Sequence, residues 1–178
     1  MDLPFSFNSR FLLNIIHFAV HQGADRKRLT SITEYSEEEL CSEDLRVSAD
    51  VYDEVLYTAV KQTGNPYFGL HLGEYLNLTA LGVLGQITQS SSTVREALKH
   101  LCEFASLGCQ ALPIQLVKGS SNYRITFTAN PLWEERSPTS VEHTVAANLA
   151  FALREYHTLT RYKHYPISIH LRYAAPEN

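Results

Sequence analysis

Apolar residues recur along this chain first with a period near 3.6 and later with a period of two, and the change divides it. From Ser9 to Gln22 the positions Leu12, Ile15, Ile16, Ala19 and Val20 share one helical stripe, and Gly23 supplies a left-handed stop. Asp25 can cap a shorter helix running through Leu29 and Ile32, and Glu37, Glu38 and Glu39 ending at Leu40 read as a short solvated helix. Ser48 caps the next helix, where Tyr52, Val55, Leu56 and Ala59 repeat at helical spacing until Gly64. Asn65-Pro66 restarts at once, because proline's missing amide has no partner to lose in a first turn.

The stretch from Pro66 to Leu107 organises the rest, since three helical segments follow one another there with little loop between them. Phe68-Gly69-Leu70-His71-Leu72-Gly73-Glu74 leads into Leu81-Gly82-Val83-Leu84-Gly85 and then into the helix that Thr93 opens. The Thr93 hydroxyl and the Glu96 carboxylate form a capping box, with Glu96 reaching back to the Thr93 amide. Val94, Ala97, Leu98, Leu101, Phe104 and Ala105 then make one apolar stripe, while Arg95, Glu96, Lys99, His100 and Glu103 fall away from it. Glycines inside a helix cost about 1 kcal/mol each relative to alanine. The close approach of another backbone is one compensating reason for Gly82 and Gly85, and a weak, partly frayed helix is the alternative.

After Gly108 the pattern alternates. Ile114 and Leu116, a Gly119-Ser120-Ser121 turn, then Tyr123, Ile125 and Phe127 predict an antiparallel hairpin with Pro113 at its start. Ser137-Pro138 opens the longest helix, with Val141, Val145, Leu149, Ala152, Leu153 and Tyr156 as its buried stripe. Pro166 introduces a last strand, Ile167, Ile169, Leu171 and Tyr173 on one face and Ser168, His170 and Arg172 on the other. The fold class is α+β, a helix-rich domain whose small, mainly antiparallel sheet packs against helices. No internal repeat or linker divides residues 1–178, so they form a single domain.

Composition narrows the function classes. With 44% hydrophobic and 19% charged residues the chain reads as a soluble globular domain with a sizeable core. A net charge of −4 gives no excess of positive charge for a phosphate backbone, which disfavours autonomous DNA binding. Three cysteines without metal-ligand spacing fit a reducing cytoplasm and read as buried thiols, Cys102 and Cys109 included. The apolar run Phe11 to Val20 is interrupted by Asn14 and His17 and is too short to span a bilayer, so no membrane partner is expected.

Candidate chemistry is sparse. His17 and His21 share a helix face without a carboxylate or thiol nearby in sequence, and read as a solvated pair rather than a metal site. There is no phosphate loop, no Gly-x-Ser-x-Gly elbow and no recognisable carboxylate pair, so no catalytic residue is named and neither metal nor cofactor is expected. Gly69 to Gly85 lacks the strand-turn-helix setting of a nucleotide fingerprint, and close helix packing explains it better. For a small ligand the residues to follow interrupt otherwise apolar faces near the sheet: Tyr123, Arg124, Trp133, Glu142, His143 and His170. An arginine there can clamp a carboxylate or phosphate; Arg124 and His170 also fit the solvent faces of their strands.

Three segments carry a family resemblance: Phe68 to Glu74; Leu81 to Gly85 with Thr93 to Leu101 behind it; and the Val141-Glu142 helix leading to Ile167 through Pro176. Together they resemble the amino-terminal, arabinose-binding-like domain of AraC-type bacterial transcription regulators. The resemblance implies a ligand-sensing, non-enzymatic, cytoplasmic regulatory domain that binds a small effector or a copy of itself as a homodimer. It also implies that DNA is read only by a carboxy-terminal helix-turn-helix half that does not lie within these residues, and that the family's domain runs beyond Asn178. The alternative is a stand-alone small-molecule-binding protein or small enzyme. The expected effector has an apolar or aromatic body and one polar or anionic group, seated where the central helices meet the apolar face of the sheet.

Overall fold

Short polar side chains decide where most of the helices begin. A computed structural model describes residues 3–160 and 166–171. Strand β1 (Ser6–Asn8) ends at Asn8, whose side chain accepts from the Arg10 and Phe11 amides and opens α1 (Ser9–His21); Gly23, at φ +98°, turns the chain after it. Asp25 caps α2 (Arg26–Thr33) in the same way, and Ser36 and Glu39 form a reciprocal box at α3 (Glu37–Leu40). Strand β2 (Arg46–Ser48) runs into α4 (Ala49–Thr63) through the Ser48 cap, and left-handed Gly64 closes that helix. Helix α5 (Phe68–Tyr75) begins at Phe68 rather than at Pro66, because the Asn65 side chain accepts from the Tyr67 amide and an extra turn intervenes.

Next come a 3-10 turn (Leu78–Leu81), α6 (Val83–Gln89) and α7 (Val94–Glu103). The Thr93 hydroxyl accepts from the Glu96 amide at 3.2 Å as expected, but Glu96 takes the amide of Ser92, at 2.8 Å, and not that of Thr93. The hairpin is β3 (Ile114–Lys118) and β4 (Tyr123–Phe127), antiparallel with Leu116 opposite Ile125, its turn closed by the Gly119 amide on the Asn122 carbonyl at 2.8 Å. Helices α8 (Pro131–Arg136) and α9 (Pro138–Thr160) follow. The α+β class stands, with two separate two-stranded antiparallel sheets among the described residues.

The sheet β1–β2 has no clear sequence signal. Three residues are too few to display a period, yet Phe7 and Val47 lie opposite one another and both are buried. Arg46 fastens this ribbon to the chain after α7: its guanidinium donates to the Ser6 carbonyl at 2.9 Å and to the Leu107 carbonyl. Beneath the ribbon lies an aromatic cluster. Phe7 stacks on Tyr52 at 3.8 Å between ring centroids, and Trp133 tilts onto Phe7 at 5.2 Å.

Helix α5 packs more extensively on α9 than any other pair of helices does. A Cβ built on Gly69 would lie 2.2 Å from the His143 carbonyl oxygen, and one on Gly73 would lie 2.3 Å from that of Ala147. Real Cβ atoms do not approach so closely, so the two glycines form the groove in which the α9 backbone rests. This contact corrects the expected stripe of α9. Its buried residues are Ser140, Val141, His143, Thr144, Ala147, Phe151 and Glu155, while Val145, Leu149, Ala152, Leu153 and Tyr156 are only half-buried. Apolar residues surround much of this helix, so periodicity does not select a face; the glycine groove selects the side with small residues.

Two further expectations change. The strand from Pro166 is not formed: residues 166–171 are irregular, and Ile167, Ile169 and Leu171 are 87%, 47% and 58% exposed, with Arg172 and Tyr173 outside the described residues. An alternating pattern records compatibility with a sheet, and these described residues pair with neither two-stranded sheet. Gly82 is not inside a helix but at the junction before α6, with φ 56° and ψ −129°, a conformation that side chains resist. Gly85 is helical and does meet a backbone, since its Cβ would lie 1.9 Å from the Leu78 carbonyl oxygen.

Candidate functional site

A half-open cavity of about 400 Å³ lies between α1 and the segment from Leu78 to Gln89. Its floor is Leu13, Leu78 and Ala80; its walls carry Arg10, Asn14, His17, Thr79, Gln86 and Gln89. Local structure explains why these residues converge. Arg10, Asn14 and His17 sit one turn apart on α1, on the flank beside its buried stripe. The opposite wall bends sharply because Gly82 permits the junction and Gly85 lets α6 fold back on the 3-10 turn. The cavity is therefore set between two helical segments, not where the helices meet the hairpin as expected.

Charge at this site is arranged in pairs. Arg10 Nη1 lies 2.8 Å from Glu43 Oε1, and His17 Nε2 lies 3.4 Å from Glu37 Oε2. Glu37 is also held by Arg26 at 2.6 Å, and hydrogen bonds from Arg26 first and His17 second draw its carboxyl below the ordinary value. Neither Glu43 nor Glu37 is among the lining residues, so the lining itself contains a guanidinium, an imidazole, amides and a hydroxyl but no acid. Sequence spacing misses the His17–Glu37 pair because its members belong to different helices, α1 and α3.

None of the six residues singled out from the sequence lines this cavity. Trp133 is fully buried and its indole N–H donates to Asp53 Oδ1 at 2.9 Å, while the same carboxylate accepts from Ser137, which ties α8 to α4. His143 is buried at the α5–α9 contact, where its Nδ1 accepts the Gly69 amide at 3.2 Å. That bond satisfies a first-turn donor of α5 and requires a neutral ring, and burial lowers the His143 pKa to match. Glu142 is half-buried beside it on α9. Tyr123 and Arg124 are exposed on β4, with Arg95 lying over the Tyr123 ring at 5.5 Å, and His170 is exposed in the irregular segment. The structure thus gathers Trp133 and His143 into separate parts of the interior and leaves Tyr123, Arg124 and His170 at the surface.

Cys102 and Cys109 are free and partly covered, but Cys41 is exposed, which corrects the expectation of three buried thiols. Burial pushes the Cys109 thiol up to about 12, where it stays protonated and unreactive. Among the described residues no three His, Cys, Asp or Glu side chains are grouped to hold a metal ion, and no helix is long and apolar enough to cross a membrane.

Residues 23–178 match the family described as the arabinose-binding domain of AraC transcription regulators, at their amino-terminal end, and the chain belongs to that family. It is a regulatory domain of a transcription regulator of this class. Among characterised proteins it is similar to the ornithine utilization regulator of Pseudomonas aeruginosa, 27% identical over 103 residues. That match takes in 58% of this chain and 30% of the relative, so the chain spans about a third of that regulator's length.

Proposed function

We propose that this domain senses a small organic effector in the cavity between α1 and α6 and passes the resulting change of state to a DNA-binding half of an AraC-type regulator. The observation that carries the reading is the cavity lining: about 400 Å³ bounded by Asn14, Thr79, Gln86 and Gln89 above an apolar floor. Such walls orient a ligand by hydrogen bonds while the floor accepts a compact apolar body. The candidate residues Tyr123, Arg124, Trp133, Glu142, His143 and His170 enter this proposal as supports of the fold or as surface groups, not as effector contacts.

The location suits a sensor. An effector biases a two-state protein only by the difference in its affinity for the two states. A ligand bridging α1 and α6 would favour the arrangement in which these segments are closed upon one another. By the proposed division of labour, this chain alone does not bind duplex DNA specifically, a reading that its net charge of −4 supports. The whole regulator works in the cytoplasm.

Ligand screening by thermal shift tests the reading. A true effector raises the unfolding free energy by RT ln(1 + [L]/Kd), about 2.7 kcal/mol at a hundred times Kd. Gln86→Leu and Asn14→Leu should each abolish the shift. A hit that survives both substitutions, or stabilisation by metal ions alone, would defeat the assignment of this cavity. Sequence-selective gel retardation of DNA by the isolated chain at physiological salt would defeat the proposed division of labour.

A further inference from the structure

We infer that Arg10 is an anion anchor in the cavity, that Glu43 occupies it when no ligand is present, and that the effector is an organic anion which displaces the Glu43 carboxylate. This inference rests on the cavity being the effector site. Arg10 is a permanent cation on the cavity wall, in a lining that contains no carboxylate. A positively charged ligand group would find only a cation, an imidazole and neutral dipoles there. A carboxylate or phosphate would find a guanidinium whose fork matches its oxygens, with amide donors beside it.

Glu43 already makes part of that contact. Its Oε1 lies 2.8 Å from Arg10 Nη1, and the two side chains are 34% and 40% exposed. Ion pairs this exposed are weak, because water and salt screen them. The Glu43 main chain is held separately: its carbonyl accepts the Asn8 side-chain amide at 3.4 Å. The carboxylate can therefore swing away while the loop between α3 and β2 keeps its place. Gly82 completes the arrangement, for a Cβ there would lie 3.2 Å from Glu43 Oε1 and 3.4 Å from Arg10 Nη1. The absence of a side chain leaves the pair room beside the cavity. No covalent step is involved; one carboxylate replaces another on the same guanidinium.

The same exchange supplies selectivity. A neutral ligand of the same shape gains nothing from Arg10 unless it competes with Glu43, and its hydrogen bonds to Arg10 are weaker than a carboxylate's. An anionic ligand competes directly, so Glu43 lowers its apparent affinity by the fraction of Arg10 left unoccupied.

The test uses benzoate, a compact apolar body with one carboxylate, against its neutral counterpart benzamide. Each is titrated into the full chain, Glu43→Gln and Arg10→Gln, and the methyl resonances of Leu13, Leu78 and Ala80 are followed by NMR. Removing Glu43's charge should tighten benzoate about two- to five-fold, the range of an exposed ion pair, and leave benzamide unchanged. Arg10→Gln should weaken benzoate and bring it level with benzamide. Unchanged or weaker benzoate binding in Glu43→Gln overturns the competition, and benzoate binding unaltered by Arg10→Gln overturns the anchor. If neither probe perturbs the cavity methyls in any of the three proteins, the cavity is not the effector site and both proposals fall together. If benzamide binds there while the benzoate predictions fail, only this inference falls.

Discussion

Helices α1, α4, α5 and α9 and the segment from Val83 to Gly108 are packed to different standards. The first group supplies Leu12, Ile15, Ile16, Tyr52, Leu56, Phe68, Leu72 and Ala147 to one contiguous core, and Gly69 and Gly73 bring α5 and α9 into backbone contact. In the second, Leu84 and Ala97 are buried but stand outside that core, while Val94, Leu98 and Leu101 of α7 are only half-covered and Val83 and Leu107 are exposed. Helix α1 of the first region and helix α7 of the second both carry a clear apolar stripe, yet only the first is deeply buried, so periodicity does not measure burial. The cavity lies at the seam, with Arg10 and Leu13 from the firm side and Gln86 and Gln89 from the loose one. Elements that move on ligand binding come from the low-stability end of a fold, and here that end forms one cavity wall.

Breaking the firm side should have the largest effect. Gly73→Leu must displace the Ala147 carbonyl, to which even a Cβ would come within 2.3 Å. We expect a loss of about 3 kcal/mol or more, the upper end of overpacking, or failure to fold. Urea denaturation or soluble yield reports it, and a variant with native stability would show that α5 and α9 do not touch at this groove.

A matched pair of truncations measures the contrast directly. Ile16→Ala, at a fully buried site, should cost about 2–5 kcal/mol. Leu98→Ala, at a half-covered one, should cost roughly half as much or less, since part of its surface is already in water. Equal losses in urea midpoints would erase the distinction between the two regions.

Gly85→Leu sharpens it further. The nearest obstacle is the Leu78 carbonyl, in the short 3-10 turn rather than in a long helix such as α9. A loss of about 1–3 kcal/mol is expected. Hydrogen exchange should show faster opening in α6 with α1 and α4 unchanged, and an unaltered thermal midpoint would mean that the glycine is not closely packed.

The smallest effect is pH dependence through His143. Its folded pKa is lowered by burial, whereas in the unfolded chain it titrates near 6.5. Below about 6.5 the unfolded state takes up a proton that the folded state refuses. This group's contribution to stability is therefore present above that pH and is lost as the pH falls towards the folded pKa. His143→Asn, whose Oδ1 takes the place of Nδ1 as acceptor for the Gly69 amide, should flatten the decline below about pH 6.5. A slope identical to that of the parent protein would place the ring in water.

Helix existence was legible in the residues because caps and stops are local chemistry. Asp25, Ser36, Ser48, Thr93, Gly23 and Gly64 act on amides or dihedral angles within a few positions, whatever the rest of the chain does. The hairpin was legible for the same reason, its turn and its alternation being adjacent. Which face of α9 is buried was not, because Val145, Leu149 and Leu153 are as apolar as the residues chosen, and the choice was made by glycines some seventy positions earlier in the chain. Nor was the fate of Ile167, Ile169 and Leu171, since a strand needs an edge and alternation cannot provide one. The candidate site divides in the same way. Arg10, Asn14 and His17 are visibly on one flank of a predicted helix, but their facing wall, and the Glu43 and Glu37 carboxylates that pair with Arg10 and His17, come from segments that only the folded chain brings near. Sequence by itself determined most of the helices, the hairpin and the family; tertiary structure decided the β1–β2 ribbon, the buried faces and the cavity, because pairing and burial depend on neighbours distant in the chain.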